Sequence, residues 1–112
     1  MITFILQLKT EIDYLCNYND IEIIDITPLV GEPLLHPNIE EIITYILSNN
    51  KKVYIISSLS VKLNDALLNI LKHPNIILFC SLYGDNDNLY IKYTNTNSYK
   101  IVEKNFDFIL LF

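Results

Sequence analysis

The chain has 112 residues, enough for one domain with a modest core. Hydrophobic residues make up 51% of it and charged residues 19%, a balance that excludes an intrinsically disordered chain. The net charge is −5 and every basic residue is a lysine, with no basic run, so a nucleic-acid surface and an anionic membrane surface are both disfavoured.

Membrane insertion and secretion are also disfavoured by the sequence. No apolar stretch approaches the roughly 20 residues that span a bilayer. The opening Met1-Ile2-Thr3-Phe4 lacks the basic region of a signal peptide. Two cysteines, Cys16 and Cys80, are too few for a disulfide framework or a zinc site. We therefore expect buried thiols and a reducing cytoplasmic location.

The first half of the chain alternates between helical and strand-like spacing of apolar residues. Apolar residues three or four apart predict a helix over residues 3–18. A β-branched run predicts a strand over residues 21–27, and prolines with a glycine predict an irregular loop over residues 28–36. A second helix is expected to begin near Pro37, because a proline fits the first turn.

The alternation continues through the second half. The second helix should pack through an apolar stripe and end at two asparagines. The stripe comprises Ile39, Ile42, Ile43, Ile46 and Leu47. A strand over residues 52–57, a helix over residues 63–71 and a strand over residues 76–81 are predicted next. A long polar loop and a final helix over residues 97–112 complete the order.

Helices that alternate with strands predict βαβ units and a parallel sheet. We expect three parallel strands in the order 1-2-3, joined by right-handed crossovers, with two helices on one face. In such sheets ligands gather at the carboxyl ends of the strands, which are residues 27–36, 57–60 and 81–88 here. These segments hold most of the glycine, proline and unusual polar residues of the chain.

The most informative stretch, residues 26–37, reads Ile-Thr-Pro-Leu-Val-Gly-Glu-Pro-Leu-Leu-His-Pro. It resembles the radical S-adenosylmethionine (SAM) superfamily, whose members carry Gly-Glu-Pro after the second barrel strand, often continued as Leu-Leu-His-Pro. The preceding Thr-Pro-Leu-Val resembles the SPASM-type members, which carry a C-terminal iron–sulfur extension. Residues 53–59 sit where the family has a strand ending in Thr-Asn-Gly. Residues 80–84, Cys-Ser-Leu-Tyr-Gly, match a family strand that often ends in Ser-Leu-Tyr-Gly.

The similarity continues with Tyr90, Thr94 and Asn105 and so covers nearly the whole chain. It implies an α/β fold in which residues 1–112 form a parallel βαβ repeat. This repeat would be part of a radical SAM barrel, which is TIM-like and partial, and would supply about half of its strands.

The resemblance also implies a set of SAM-binding residues. Backbone groups of Val30 and Gly31, together with Glu32, would meet the methionyl ammonium of SAM, which needs acceptors. Pro33 would stiffen this loop and lower the ordering cost of binding. Ser81 matches a residue near the SAM carboxylate or ribose, and Ser58 takes the place of the family's asparagine.

The family's cofactors are SAM and a 4Fe-4S cluster, at which SAM is reductively cleaved to start radical chemistry on a substrate. Three cysteines spaced Cys-x3-Cys-x2-Cys hold that cluster, and this chain has no such segment. We therefore expect no metal ligand, no catalytic residue and no cluster on this chain alone.

Three hypotheses follow for the chain as a whole. In the first, the chain is a piece of a radical SAM protein whose missing strand and cysteines come from a complementary polypeptide or were lost from the gene model. In the second, it is a degenerate relative kept as a binding or scaffolding half-barrel without catalysis. The third hypothesis is a small flavodoxin-like or thioredoxin-like module with an accidental motif, against which the missing phosphate loop and Cys-x2-Cys argue.

The chain is also expected to be a poor monomer that self-associates or needs a partner. The apolar residues 108–112 lack a cap, which favours a truncated barrel or a surface made for a partner. Half a barrel would leave its interior in water, with Ile77 and Phe79 lining it beside Ile55. Asp25 should point to the same interior, and His36 should be a helix-entry residue rather than a base.

Overall fold

The computed structural model describes residues 10–26, 32–81, 86–94 and 98–110. Residues 10–16 are helical and are named α1. The other elements, in chain order, are β1 (Ile23–Asp25), a 3-10 helix (Pro33–Leu35), α2 (Ile39–Ser48), β2 (Lys52–Ser57), α3 (Asp65–Ile70), β3 (Ile76–Cys80), α4 (Asp87–Thr94) and α5 (Tyr99–Leu110).

The three strands form one parallel sheet in the order β1-β2-β3, which confirms the predicted strand order and parallel pairing. The register pairs Ile24 with Val53 and Ile55 with Leu78. Paired residues of parallel strands point to the same face, so these four side chains share one side of the sheet.

That side carries the hydrophobic core. Val53 and Ile55 are completely buried, and the two crossover helices α2 and α3 contact each other above them. The core cluster comprises Ile12, Ile24, Leu34, Ile39, Ile43, Ile46, Val53, Ile55, Leu59, Leu67, Leu71 and Val102. Since members of both crossover helices join one cluster, the expectation of two helices on one face is confirmed. The predicted stripe of α2 is likewise buried or partly buried in this core.

The opposite side of the sheet is more exposed, and we call it the open face. Its side chains are Ile23, Asp25, Lys52, Tyr54, Ile56, Ile77 and Phe79. Phe79 is 59% exposed and Ile23 is 49% exposed. The Tyr54 and Phe79 rings lie 5.9 Å apart between centroids.

One prediction about this face is wrong. Ile55 was expected beside Ile77 and Phe79, but Ile55 lies in register with Leu78 on the core face. The neighbours of Ile77 and Phe79 across the ladder are Tyr54 and Ile56. Asp25 does lie opposite Ile24, as expected, and its position is exposed on the open face.

Several element boundaries also differ from expectation. β1 is three residues long, shorter than the strand predicted over residues 21–27. Pro37 precedes the helix cap Asn38 rather than standing in the first turn of α2. Pro33 opens a 3-10 helix within the segment expected to be irregular. A polar loop was expected where α4 forms, and this prediction is wrong for residues 87–94.

A buried lysine fixes the connection between α1 and β1. The Lys51 ammonium donates hydrogen bonds of 2.7 Å to the Tyr18 carbonyl and 2.6 Å to the Ile21 carbonyl. Lys51 is only 7% exposed, so its charge is stabilised by these oxygens rather than by bulk water. In the described ranges, none of the helices has the length and apolar character that crossing a bilayer requires.

Candidate functional site at the carboxyl edge of the sheet

The Glu32 carboxylate joins the loop after β1 to the end of β2. Its Oε1 accepts hydrogen bonds of 2.8 Å from the Ser57 hydroxyl, 3.0 Å from the Ser58 N–H and 3.1 Å from the Ser58 hydroxyl. Its Oε2 accepts one bond of 2.9 Å from the Leu34 N–H. A carboxylate offers about four acceptor positions, two on each oxygen, so Oε2 retains capacity beyond its contact with Leu34.

The local sequence explains why Glu32 stands there. Glu32 caps the 3-10 helix: its backbone is extended and its side chain accepts from the second residue of that helix. Pro33 takes the first position, where its missing N–H costs nothing. Pro33 and Leu34 are buried and anchor the short helix on the core. The carboxylate is thus held by its own element as well as by β2.

The loop after β2 supplies the hydroxyl groups of the site. The Ser58 and Ser60 hydroxyl oxygens lie 2.6 Å apart. The Ser57 hydroxyl accepts a bond of 3.0 Å from the Leu59 N–H while it donates to Glu32. Between these serines, Leu59 has φ 54°, a left-handed backbone that disfavours residues other than glycine.

The end of β3 lies next to this loop. The Ser81 N–H donates a bond of 2.9 Å to the Ser57 carbonyl, so the backbone of Ser81 continues the pairing beyond the last residue of β3. The preceding Cys80 thiol lies 4.0 Å from the Ser58 carbonyl. Burial raises the pKa of the Cys80 thiol, and the negative charge of Glu32 raises it further. The thiol is therefore a poor nucleophile at neutral pH.

Of the residues predicted for SAM binding, the structure brings Glu32, Ser58 and the Ser81 backbone to one edge of the sheet. Pro33 is buried beside them as the start of the 3-10 helix. Val30 and Gly31 lie outside the described residues. His36 precedes the cap of α2, and its Nδ1 accepts a bond of 3.0 Å from the Asn38 N–H, as expected of a helix-entry residue.

Two contributors were missed by the sequence analysis. Ser57 was treated as a strand residue, although it is buried and hydrogen-bonded to Glu32. Its place as the last residue of β2, next to a second serine, is the signal that could have indicated it. Cys80 was expected to be only a buried thiol, but it is half-buried. Its place at the end of the third predicted strand is the signal that could have indicated its closeness to Glu32.

The cysteines do not form a metal centre. Cys16 lies close to Lys51, which precedes β2, whereas Cys80 ends β3 and so lies at the other end of the sheet. In the part of the chain that the structure describes, no three His, Cys, Asp or Glu side chains converge as ligands. With two cysteines in the whole sequence, the chain cannot supply the three thiolates of a 4Fe-4S cluster.

Comparison with protein-family models, with curated proteins and with solved structures finds no match to this chain. The resemblance to radical SAM proteins therefore rests on the short motifs of the sequence alone.

Proposed function

We propose that this chain is a partial radical SAM-type barrel that binds the methionyl end of SAM at the carboxyl edge of its sheet and does not cleave SAM by itself. The observation that carries the proposal is the convergence of Glu32, from the Gly-Glu-Pro motif, with the ends of two strands. Glu32 contacts Ser57 and Ser58 directly, and Ser81 pairs with Ser57.

The sheet order supports this proposal over a flavodoxin-like module. Doubly wound sheets reverse their strand order and carry helices on both faces. Here the order is β1-β2-β3 and both crossover helices share one core in the described residues. Sequential order with helices on one side is the arrangement from which parallel barrels are built.

The backbone of Leu59 gives further support. Leu59 follows Ser58, and so stands where the family has the glycine of its Thr-Asn-Gly strand end. Its φ of 54° is the conformation that glycine adopts without strain. The loop thus has a shape that suits the family residue, although this sequence carries a leucine there.

The residues present suit the methionyl end of SAM. Among the described residues, the four donors to Glu32 are uncharged, so they supply no counter-charge to the carboxylate. Oε2 could accept from an ammonium group, and the Ser81 hydroxyl can donate to a carboxylate or a ribose. When bound to a complete enzyme, SAM and its cluster supply the radical; this chain would contribute only the binding and orientation of SAM.

Binding of SAM to the purified chain tests the proposal. Equilibrium dialysis should show one saturable SAM site per chain. Replacing Ser58 by Ala should weaken binding, while Ser48→Ala, an exposed serine at the end of α2, should leave it unchanged. The absence of saturable binding to the wild-type chain would overturn the proposal. Anaerobic reconstitution should leave iron well below the roughly four atoms of a full cluster.

A non-catalytic binding or scaffolding role is the second candidate, and the open face favours it. Phe79, Ile23 and Ile56 are exposed there on a single surface. We propose that self-association or a complementary polypeptide covers this surface. Under the first candidate function, that polypeptide would also supply the cluster cysteines. The two free thiols support the proposal of a reducing, cytoplasmic location.

A further inference from the structure

Asn105 of α5 reaches the loop after β2 from the far end of the sequence. Its side-chain amide donates hydrogen bonds of 2.9 Å to the Leu59 carbonyl and 2.8 Å to the Val61 carbonyl. Asn105 is 3% exposed, so both bonds form away from competing water. Both N–H hydrogens of the amide are thereby used.

The two accepting carbonyls belong to the strained residue, Leu59, and to Val61 two positions later. Leu59 occupies the left-handed region, which is unfavourable for a residue that carries a Cβ. That conformation persists only where surrounding contacts over-determine it. The Leu59 side chain is 1% exposed and lies in the core. The Leu59 carbonyl accepts its hydrogen bond from the side-chain amide of Asn105.

The same loop carries the hydroxyl groups that meet Glu32. Ser58 directly precedes Leu59, and its N–H and hydroxyl both bond to Oε1 of Glu32. A rotation of the peptide after Leu59 would displace Ser60, whose hydroxyl contacts that of Ser58. The orientation of these groups therefore depends on the carbonyls that Asn105 holds.

The geometry points to Asn105 as a positioning residue of the candidate SAM site: it holds the loop after β2 in its left-handed conformation so that Ser58 faces Glu32. This role rests on the proposed function as far as SAM is concerned. The effect on the loop itself does not depend on any ligand.

The test compares Asn105→Ala with Asn64→Ala. Asn64 is a matched control, because its amide also makes two hydrogen bonds, to the Leu67 N–H and to Glu40, but at the start of α3. Residue-resolved hydrogen exchange should show loss of amide protection confined to residues 58–61 in Asn105→Ala only. SAM affinity should fall about tenfold, because the loop must then be ordered on binding at a cost comparable to one hydrogen bond of typical strength.

Each outcome separates the two proposals. If the wild-type chain does not bind SAM, the proposed function fails, while the exchange pattern still decides the role of Asn105. Protection that is unchanged at residues 58–61, or lost evenly along the chain as in a general destabilisation, would overturn the positioning role. Should Asn105→Ala not fold, Asn105→Ser keeps one donor and should show the same local pattern at smaller amplitude.

Discussion

Ile55 and Ile56 are neighbours in β2, yet Ile55 is completely buried while Ile56 is 37% exposed. The register places Ile55 beside Leu78 under the helices and Ile56 beside Phe79 on the open face. Replacing Ile55 by Ala should lower the free energy of unfolding by about 2–5 kcal/mol, because it leaves a cavity in the core. Ile56→Ala should cost less than about 1 kcal/mol. Urea unfolding of both variants measures the difference, and equal losses would contradict the assigned faces.

The open face should make the isolated chain self-associate. Exposed apolar side chains on one sheet surface favour face-to-face packing of sheets. Phe79 is 59% exposed. The substitution Phe79→Lys should shift sedimentation velocity profiles toward the monomer with little change in the free energy of unfolding. Lys72→Glu serves as a control that changes charge away from the strands, because the Lys72 ammonium lies over the Phe108 ring of α5. This variant should leave self-association unchanged. A wild-type chain that sediments as a monomer at all concentrations would contradict this expectation.

The reactivity of Cys80 should depend on Glu32. Burial and the Glu32 charge both raise the Cys80 pKa. Glu32→Gln removes the second cause, so the pH at which Cys80 begins to react with iodoacetamide should fall. The pKa of Cys16 is raised mainly by burial, with an opposing effect of Lys51 and a further rise from Asp13, so its profile should not move. Mass spectrometry after labelling across a pH series distinguishes the two thiols.

The raised pKa values of the thiols also predict how the free energy of unfolding changes with pH. A thiol that binds its proton more tightly in the folded state adds stability that is present below the ordinary cysteine pKa. That contribution is lost as pH rises through the raised value of the folded protein. The wild-type chain should therefore lose unfolding free energy in the alkaline range, and Cys80→Ser should reduce the loss. An unchanged alkaline slope in Cys80→Ser would show that other groups dominate.

Adjacent lysines give a matched test of the buried ammonium. Lys51 is buried and bonds to two carbonyls, whereas Lys52 is exposed on the open face. Lys51→Met should cost about 1.5–3 kcal/mol, the range for hydrogen bonds to a charged group. Lys52→Met should change stability by less than about 0.5 kcal/mol. Thermal and urea unfolding give both values, and similar losses would mean that the carbonyls of Tyr18 and Ile21 find other donors.

The sequence predicted strands best where apolar residues run without interruption. β2 was placed over residues 52–57, as observed, and β3 within one residue of its end. α4 was missed because its apolar residues give no clear stripe. Its start nevertheless carried a local signal, since the Asn86 side chain accepts a bond of 2.9 Å from the Leu89 N–H and Asp87 follows in the first turn.

The faces of the sheet and the site contacts were harder to predict. The alternation of side chains within one strand correctly predicted that Asp25 and Ile24 point to opposite faces. It does not reveal which residues of two neighbouring strands share a face. Only the register reveals that Ile55 faces away from Phe79. Likewise, the bonds of Asn105 join residues 44 and 46 positions apart, which no local pattern indicates.

The contact between Asn105 and Leu59 has a consequence for biosynthesis. The two residues are 46 positions apart, and ribosomes add about 5–20 residues per second. Roughly 2–9 s therefore pass between the synthesis of the loop after β2 and the synthesis of the Asn105 amide that bonds to it. During that interval the nascent chain can form β1, β2 and their crossover helix but has no completed serine loop. If the chain binds SAM at this edge as proposed, that binding has to wait until α5 has been translated and has docked.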